Sequence, residues 1–266
     1  MTNSLVTYSF DGQVALVGLN RTGKRNAISN AMIEELRAAI LRAHEEAEVG
    51  VIFGHGENFS AGLDLTEALA RVADQGTAPR RRTAHPWHVT FDLIERGPIP
   101  WVSALQGAVI GGGLELAMAT HVRVAEEGAY FGLPEGQRGI FVGGGGTVRI
   151  QRVVGTTVMM DMMLTGRLLS TAESERERIV RYVVPVGESL TKATQLAQRI
   201  AQNTNDTNWR IINILPRVHD LSHDDGLFME NMCTQMPKDG GATDRLREFL
   251  SHRAQPLAGT LLGPTS

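Results

Sequence analysis

The residues best suited to chemistry lie in three glycine-bearing segments, residues 59–65, 107–116 and 131–146. A glycine run before a helix lets the backbone approach a ligand and directs free N–H groups at negative charge. Glu115 follows the glycine run of the second segment, and Glu135 lies in the third. These segments predict a site in which backbone N–H groups stabilise negative charge beside two carboxyl groups.

Three interpretations of these segments compete. Phosphate binding would call for Gly-x-x-x-x-Gly-Lys-Ser/Thr, or for Gly-x-Gly-x-x-Gly after the first strand, and neither motif occurs. An oxyanion hole is the second interpretation. The third interpretation is tight packing of a helix on a sheet. It explains any one segment taken alone, but it explains less well why there are three such segments and why two of them are followed by an acid. Taken alone, Glu115 fits an exposed acid near a helix N-terminus and Glu135 a loop carboxylate.

The elements that must position these segments alternate between strands and helices. Residues 5–10 and 14–19 predict two strands around an Asp11-Gly12 turn, and Ser29 is the predicted N-cap of the helix that follows. This alternation predicts an α/β fold. The further predicted elements are a buried strand at 51–53, a strand at 101–105, a helix at 111–119 and a strand at 121–125.

The pattern changes towards the C-terminus, where helices replace strands. The last predicted strand covers residues 183–185 and the next helix residues 189–201. We therefore predict a β/α core over residues 1–200 and a helical oligomerisation region over residues 201–266. The predicted helices of that region, at 211–218, 226–236 and 243–253, carry apolar residues in excess of what a short appendage can bury: Ile211, Ile212, Ile214, Leu215, Leu227, Phe228 and Met232.

Composition excludes several classes of protein. The 266 residues carry a net charge of −3, which argues against a nucleic-acid partner or a membrane surface. The one cysteine, Cys233, excludes an internal disulfide and a multi-cysteine metal site. There is no signal-peptide pattern and no apolar run approaching the roughly 20 residues of a spanning helix, so we expect a cytoplasmic protein. Residues 80–82 form the one dense basic cluster, which favours a solvated loop over an anion site.

Five segments, taken in order, resemble the enoyl-CoA hydratase/isomerase (crotonase) family. They are residues 18–27, 59–65, 111–115, 134–135 and 164–167. The resemblance runs from about residue 5 to about residue 200, with only a general helical likeness beyond. It implies a crotonase-like β/α spiral core with a C-terminal helical region, assembled as a homotrimer or a dimer of trimers.

The resemblance also implies roles for individual residues. The thioester oxygen of an acyl-CoA would lie between the backbone N–H groups of Leu63 and Gly112. Glu115 and Glu135 would flank the reacting carbons and hold the water between them. No metal or redox cofactor is expected, because the thioester itself provides the acidity. The remaining implied substrate-binding residues are Ala61, Gly62, Asp64, Gly111, Gly143, Trp87 and Phe91.

Hydration of a 2-enoyl-CoA to the 3-hydroxyacyl-CoA is the leading predicted function. The nearest alternatives are an enoyl-CoA isomerase and a hydratase-lyase acting on an aromatic hydroxycinnamoyl-CoA. Isomerases of the family commonly use one glutamate near the second position, so retention of Glu115 favours hydration. A non-catalytic acyl-CoA-binding or RNA-binding relative is a further alternative, which loss of an acid would have supported.

The chain departs from the family pattern at several positions. Glu57 and Thr66 stand where basic contacts to the CoA nucleotide are usual. Arg178 replaces a helix-ending glycine, so we expect the turn there to be reshaped. Val142 replaces a proline. Aromatic residues cluster near the expected acyl pocket and favour either core packing or an aromatic pocket wall: Trp87, Phe91 and Trp101, with His88 as a further polar group.

Overall fold

The computed structural model describes residues 4–73, 85–236 and 240–251. A six-stranded sheet has the order β1-β2-β3-β4-β6-β9, and a three-stranded sheet has the order β5-β7-β8. In the large sheet, β1 and β2 are antiparallel and the other pairs are parallel, as the predicted α/β fold requires. The strands are β1 Val6–Phe10, β2 Val14–Leu19, β3 Val49–Gly54, β4 Trp101–Leu105, β5 Ala108–Ile110, β6 Val122–Glu126, β7 Tyr130–Gly132, β8 Leu168–Ser170 and β9 Tyr182–Val184.

Helices connect the strands and follow them towards the C-terminus. Ser29 caps α1 as predicted, since its side chain accepts a hydrogen bond from the N–H of Met32. The longest helix, α5, is interrupted at Gly155, whose φ is 78°. The helices are α1 Asn30–Glu46, α2 Leu65–Ala73, α3 Pro86–Glu95, α4 Gly112–Ala119, α5 Gly146–Thr165, α6 Thr171–Arg176, α7 Ser189–Ile200, α8 Asn205–Val218, α9 His223–Gln235 and α10 Gly240–Leu250.

The large sheet is covered on both faces, because alternate side chains of its central strands enter two different hydrophobic clusters. Val49, Val51 and Val102 belong to the cluster that contains Ala193 and Ala197 of α7. The opposite face contributes to the larger cluster, which contains α1, α3 and α4 and lies next to the glycine segments. Strand β3, which is buried between the two clusters, accordingly consists of apolar residues and glycine and does not alternate with polar residues.

The chain divides into two compact units, Met1–Gln202 and Asn203–Ser266. The second unit contains α8, α9 and α10, and within it the Arg210 guanidinium pairs with Asp206 and donates to the carbonyl oxygen of Cys233. Among residues 4–73, 85–236 and 240–251, no helix combines the length and hydrophobicity needed to cross a membrane.

Several elements escape the sequence patterns. Strands β5, β7 and β8 were not predicted, and each has only three residues. Helix α3 and the 20-residue α5 were not predicted either. The basic cluster at residues 80–82 and the tail at residues 259–266 lie outside the described residues.

The reshaped turn expected at Arg178 is wrong. Arg178 keeps the left-handed backbone that a glycine would adopt, with φ at 64°. The turn after α6 closes normally, since the N–H of Ile179 donates to the carbonyl oxygen of Ser174 at 2.8 Å. The backbone of Arg178 is therefore strained, and the surrounding hydrogen bonds maintain this conformation.

This strain predicts that Arg178→Gly stabilises the protein. The free energy of unfolding should rise by about 1 kcal/mol, because glycine adopts this backbone without a Cβ clash. Urea denaturation measures the change. Arg178→Ala is the matched control, since it removes the same long side chain but keeps a Cβ at positive φ. An equal gain in both variants would show that the side chain, and not the backbone, is the source.

Candidate active site

Two backbone segments meet at the start of α4. The Ser60 N–H donates to the carbonyl oxygen of Ala108 at 2.9 Å, and the Ile110 N–H donates back to Ser60 at 3.0 Å. These bonds attach the first glycine segment to β5, which leads directly into α4. A Cβ on Gly62 would lie 3.1 Å from the backbone nitrogen of Gly112. Leu63 and Gly112 therefore belong to segments in direct contact.

The hydrogen bonds around Leu63 and Gly112 show which backbone groups remain available to a ligand. Ile28 bonds to the residues on either side of Leu63, donating to Gly62 and accepting from Asp64. Gly112 is the first residue of α4, where an N–H has no partner within the helix. Within the described residues, neither N–H donates to a protein acceptor. Both residues line one cavity of about 220 Å³.

The glycines at the start of α4 are required by close contacts. A Cβ on Gly112 would lie 2.2 Å from Cζ3 of Trp87, and one on Gly113 would lie 2.7 Å from the Ser60 carbonyl oxygen. Gly111 has a φ of 54°, and a Cβ there would lie 2.5 Å from Oε1 of Glu135. The glycine run thus allows an indole ring, a backbone segment and a carboxyl group to surround the helix start.

The small sheet places Glu135 beside this helix start. Strands β5 and β7 are parallel, so their carboxyl ends lie at the same edge, and the Gly111 N–H donates to the Gly132 carbonyl oxygen at 2.8 Å. Glu135 follows β7 by three residues. Glu115 lies in the first turn of α4. Both carboxyl groups therefore reach the cavity.

Glu115 is 3% exposed, and its carboxyl group is held by backbone donors. Its Oε1 accepts the N–H groups of Gly144 and Gly146, each at 2.8 Å. Burial raises the pKa of Glu115, while the N–H groups of Gly146, Gly144 and Gly143 oppose that rise. These donors stabilise the ionised form, which is the form that can accept a proton.

Glu135 is 6% exposed and is held differently. Its Oε2 has no hydrogen-bond partner within the described residues. Burial, with a smaller contribution from the charge of Glu115, raises the pKa of Glu135 to about 7. The two carboxyl groups of one cavity thus differ in environment, as an acid and a base working together should.

The rest of the cavity wall comes from Ala68 of α2, from the start of α3 with His85 before it, and from the segment before α5. The lining residues are Leu63, Ala68, His85, Trp87, Gly112, Glu115, Glu135, Ile140, Phe141, Val142, Gly143 and Gly144. Across the described residues, no group of three or more His, Cys, Asp or Glu side chains is arranged to hold a metal ion. The cavity therefore offers N–H donors and carboxyl groups for proton transfer beside a developing negative charge.

The sequence profile of the family described as enoyl-CoA hydratase/isomerase matches residues 9–235. The chain belongs to this family. A Dictyostelium discoideum protein named "Probable enoyl-CoA hydratase, mitochondrial" is 36% identical over 82% of this chain and 78% of its own length. A Bacillus subtilis protein named "Probable enoyl-CoA hydratase" is 34% identical over 88% of this chain and 91% of its own length. A crystal structure titled as a "putative enoyl-CoA hydratase" from Rhodopseudomonas palustris shows a chain that is 40% identical in sequence. The match covers 94% of this chain and 95% of that chain, with a TM-score of 0.84. The expected crotonase fold is thereby confirmed.

Most residues that the family resemblance implicated lie at or beside the cavity. Leu63, Gly112, Glu115, Glu135, Trp87 and Gly143 line it. Ala61, Gly62 and Gly111 form the backbone next to the two unused N–H groups, and the Ala61 N–H donates to the carbonyl oxygen of Arg25. The roles of these residues in catalysis or binding stay predictions.

Asp64 and Phe91 are the two implicated residues that the structure places elsewhere. The Asp64 carboxylate lies 2.6 Å from the Arg21 guanidinium and accepts the N–H of Thr66. The hydrogen bond from Arg21 lowers the pKa of Asp64, so this carboxylate secures the loop and the start of α2. Phe91 is fully buried behind Trp87, with ring centroids 5.6 Å apart. Trp101 packs on Gly50 and His44, so Trp87 is the one of these three aromatic residues that lines the cavity.

Sequence reasoning missed the wall formed by Ile140, Phe141 and Val142 and the donor at Gly144. The four consecutive glycines at 143–146 were a usable signal, because such a run permits close approach to an acid. Sequence reasoning also missed the positioning role of Asn26, whose buried side chain donates to the carbonyl oxygens of His55 and Asn58. These two hydrogen bonds hold the turn at residues 21–26 against the residues just before the first glycine segment.

The pKa of Glu135 predicts a pH-dependent stability difference. Its folded-state pKa of about 7 exceeds the ordinary 4.5, so the wild-type protein loses stability as the pH rises from about 4.5 through 7. Glu135→Gln removes this loss. The variant should be more stable than the wild type at pH 8, by at most about 3 kcal/mol, and equal to it near pH 4.5. Urea unfolding at both pH values measures the difference, and an equal difference at both would exclude burial of the ionised carboxylate as its cause.

Proposed function

We propose that this chain hydrates a 2-enoyl-CoA to the 3-hydroxyacyl-CoA. The observation that carries the proposal is the pairing of two buried carboxyl groups, Glu115 and Glu135, in a cavity that also contains the unused N–H groups of Leu63 and Gly112. A thioester oxygen bound by those N–H groups would stabilise the enolate that forms as water adds. The names of the relatives described above support the same substrate class.

The reaction balances with water and the two carboxyl groups alone. Glu115 takes a proton from water, the hydroxyl group bonds to C3, and the C2=C3 electron pair moves onto the thioester as an enolate. Glu135 then gives its proton to C2, and the carbonyl group re-forms. Proton exchange with solvent restores both glutamates. No electrons are gained or lost overall, so we propose that no redox cofactor or metal is needed.

The assignment of the two roles follows from their environments. Three backbone N–H groups oppose the rise in the pKa of Glu115, which favours its ionised form as the base. Glu135, with a pKa of about 7 and an unpartnered oxygen, is protonated in much of the population near neutral pH and suits the acid. A pKa close to the working pH is the most effective value for a proton donor.

Recognition of the CoA nucleotide requires contacts other than the usual ones. Glu57 and Thr66 occupy the positions where the family often has basic residues, and the N–H of Thr66 binds Asp64. We propose that cations elsewhere on the chain contact the nucleotide phosphates.

The decisive experiment is an assay of the purified protein with short-chain, long-chain and aromatic 2-enoyl-CoAs. Hydration removes the conjugated thioester, so its ultraviolet absorbance should fall. Matching 3-enoyl-CoAs test isomerisation, in which the same absorbance should rise, and release of an aromatic aldehyde would indicate a hydratase-lyase. Binding without turnover of any substrate would contradict the proposal and favour a non-catalytic relative.

We also propose that the protein is a homotrimer or a dimer of trimers in the cytoplasm. Large apolar side chains of the second unit are exposed, including Leu215 at 65% and Phe228 at 67%. Exposed apolar side chains of this size are usually covered by another chain. Sedimentation should give a mass near three or six times 28.9 kDa. A single species at 28.9 kDa would contradict the assembly.

The proposed cytoplasmic location has its own test. The Dictyostelium relative is named mitochondrial, so fractionation of the source cells is the measurement that decides the location.

A further inference from the structure

We propose that Arg149 is a positioning residue that holds the segment at residues 143–146 against Glu115. Arg149 lies one turn into α5, and its side chain is 6% exposed. It does not line the cavity, so it acts through other groups. The inference rests on the proposed hydration only for the catalytic consequence of orienting Glu115.

The guanidinium of Arg149 is fixed by three partners. Its Nη1 donates to the carbonyl oxygen of Gly144 at 3.0 Å, its Nε donates to Glu95 at 2.9 Å, and its Nη2 donates to Asp92. A Cβ on Gly145 would lie 2.2 Å from Nη1, so the guanidinium lies directly on the backbone of the glycine segment. The planar fork thereby sets the position of that segment.

The same segment supplies the donors to the catalytic carboxyl group. The N–H groups of Gly144 and Gly146 bind Oε1 of Glu115, and Gly144 gives its carbonyl oxygen to Arg149. Four consecutive glycines have little conformational preference of their own. An external contact must select the conformation in which two N–H groups converge on one oxygen, and Arg149 provides that contact.

Arg149 also connects the opposite wall of the site. Its carboxylate partners, Asp92 and Glu95, lie on α3, which carries Trp87. The Trp87 ring lies against Gly112, whose N–H is a proposed donor to the thioester. One guanidinium therefore anchors the segment that supplies the donors to Glu115 on α3.

A buried ion pair is weak support for stability, because desolvation offsets much of the attraction between the charges. Geometry is the better explanation for this arginine. Lysine carries the same charge but has a single nitrogen, which cannot contact Gly144, Glu95 and Asp92 in the fixed directions of a fork. Arg149→Lys therefore separates charge from geometry.

The first experiment follows the Glu115 carboxyl group itself by ¹³C NMR titration, with Glu115→Gln used to assign its signal. The charged or titratable groups that face it are His88 on α3 and Glu135 after β7. Both remain in Arg149→Met, in which the donors to Glu115 are released. The pKa of Glu115 should then rise further above the wild-type value, since those donors oppose its rise. An unchanged titration would overturn the inference, whatever substrate the protein uses.

The second experiment measures turnover. Arg149→Met should lower kcat on the order of 10²-fold with little change in KM, because a shift of about 1 Å in a catalytic group has that effect. The acidic limb of the pH profile should move to higher pH. Arg149→Lys should show a smaller loss of kcat than Arg149→Met. Arg167→Met is the matched control, since Arg167 also binds two carboxylates, Asp161 and Glu173, but is 51% exposed and does not line the cavity.

The double variant of Arg149→Met with Glu115→Gln distinguishes positioning from general support. If Arg149 acts through Glu115, its replacement should change the residual rate of Glu115→Gln by no more than about twofold. Multiplicative losses would overturn the inference. Failure of Arg149→Met to fold leaves Arg149→Lys to carry each comparison. Inactivity of the wild type on every enoyl-CoA would instead refute the proposed function, and the NMR titration would still decide the role of Arg149.

Discussion

Glu135→Gln and Glu115→Gln should each lower kcat for hydration of an enoyl-CoA by about 10²–10⁴-fold, the usual contribution of a general acid or base. Glutamine preserves the shape of each side chain, and the proposed thioester donors are backbone groups. The affinity for an acyl-CoA should therefore persist in both variants. Stopped-flow or steady-state assays give kcat, and calorimetry with a saturated acyl-CoA gives the affinity.

The double variant tests whether the two carboxyl groups work on one water molecule. Groups that act as a unit are strongly non-additive, so the double loss should be far smaller than the product of the single losses. A different pattern identifies isomerisation: Glu135→Gln would abolish activity, while Glu115→Gln would be comparatively mild. Full activity of Glu135→Gln on every enoyl-CoA would refute both chemistries.

The sequence predicted the segments that line the cavity better than the elements that hold them. The glycines at 111–113 were informative because a side chain there would clash with Trp87 or Glu135. This steric requirement appears directly in the sequence as a run of glycines. Strands β5 and β7, which bring Glu135 to the same edge as Gly111, were missed because the pairing of two short strands that are distant in sequence leaves no local pattern. The pairing of Glu115 with Glu135 accordingly came from the family resemblance and not from predicted topology.

Residues that act through a distant partner were harder to assign. Asp64 resembles a ligand contact in the sequence, yet Arg21, 43 residues earlier, occupies its carboxylate. Arg149 resembles an ordinary helix residue until its three partners on α3 and the glycine segment are known. At Arg178 the backbone conformation persisted without glycine, since tertiary hydrogen bonds outweighed about 1 kcal/mol of strain. In each case, contacts distant in sequence decided the outcome.

Gly62→Ala should lower kcat by about 10²–10³-fold, the usual effect of losing one donor from an oxyanion hole. The proposed donors are backbone N–H groups and cannot be removed by changing their own side chains. A Cβ on Gly62 would lie 2.5 Å from the carbonyl oxygen of Ile110 and 3.1 Å from the nitrogen of Gly112. Because both contacts are with backbone atoms, the segment carrying Leu63 must move away from the start of α4.

Gly128→Ala is the matched control, because it separates this displacement from backbone strain. Gly62 and Gly128 have φ angles of 86° and 87°, yet a Cβ on Gly128 would meet no atom within 4 Å. Both variants should lose similar stability from the left-handed alanine, with a further loss in Gly62→Ala from the clash. Only Gly62→Ala should lose turnover, which thermal melts and kcat measured on the same samples will compare. Equal kcat in the two variants would mean that the position of the Leu63 N–H has no part in the reaction.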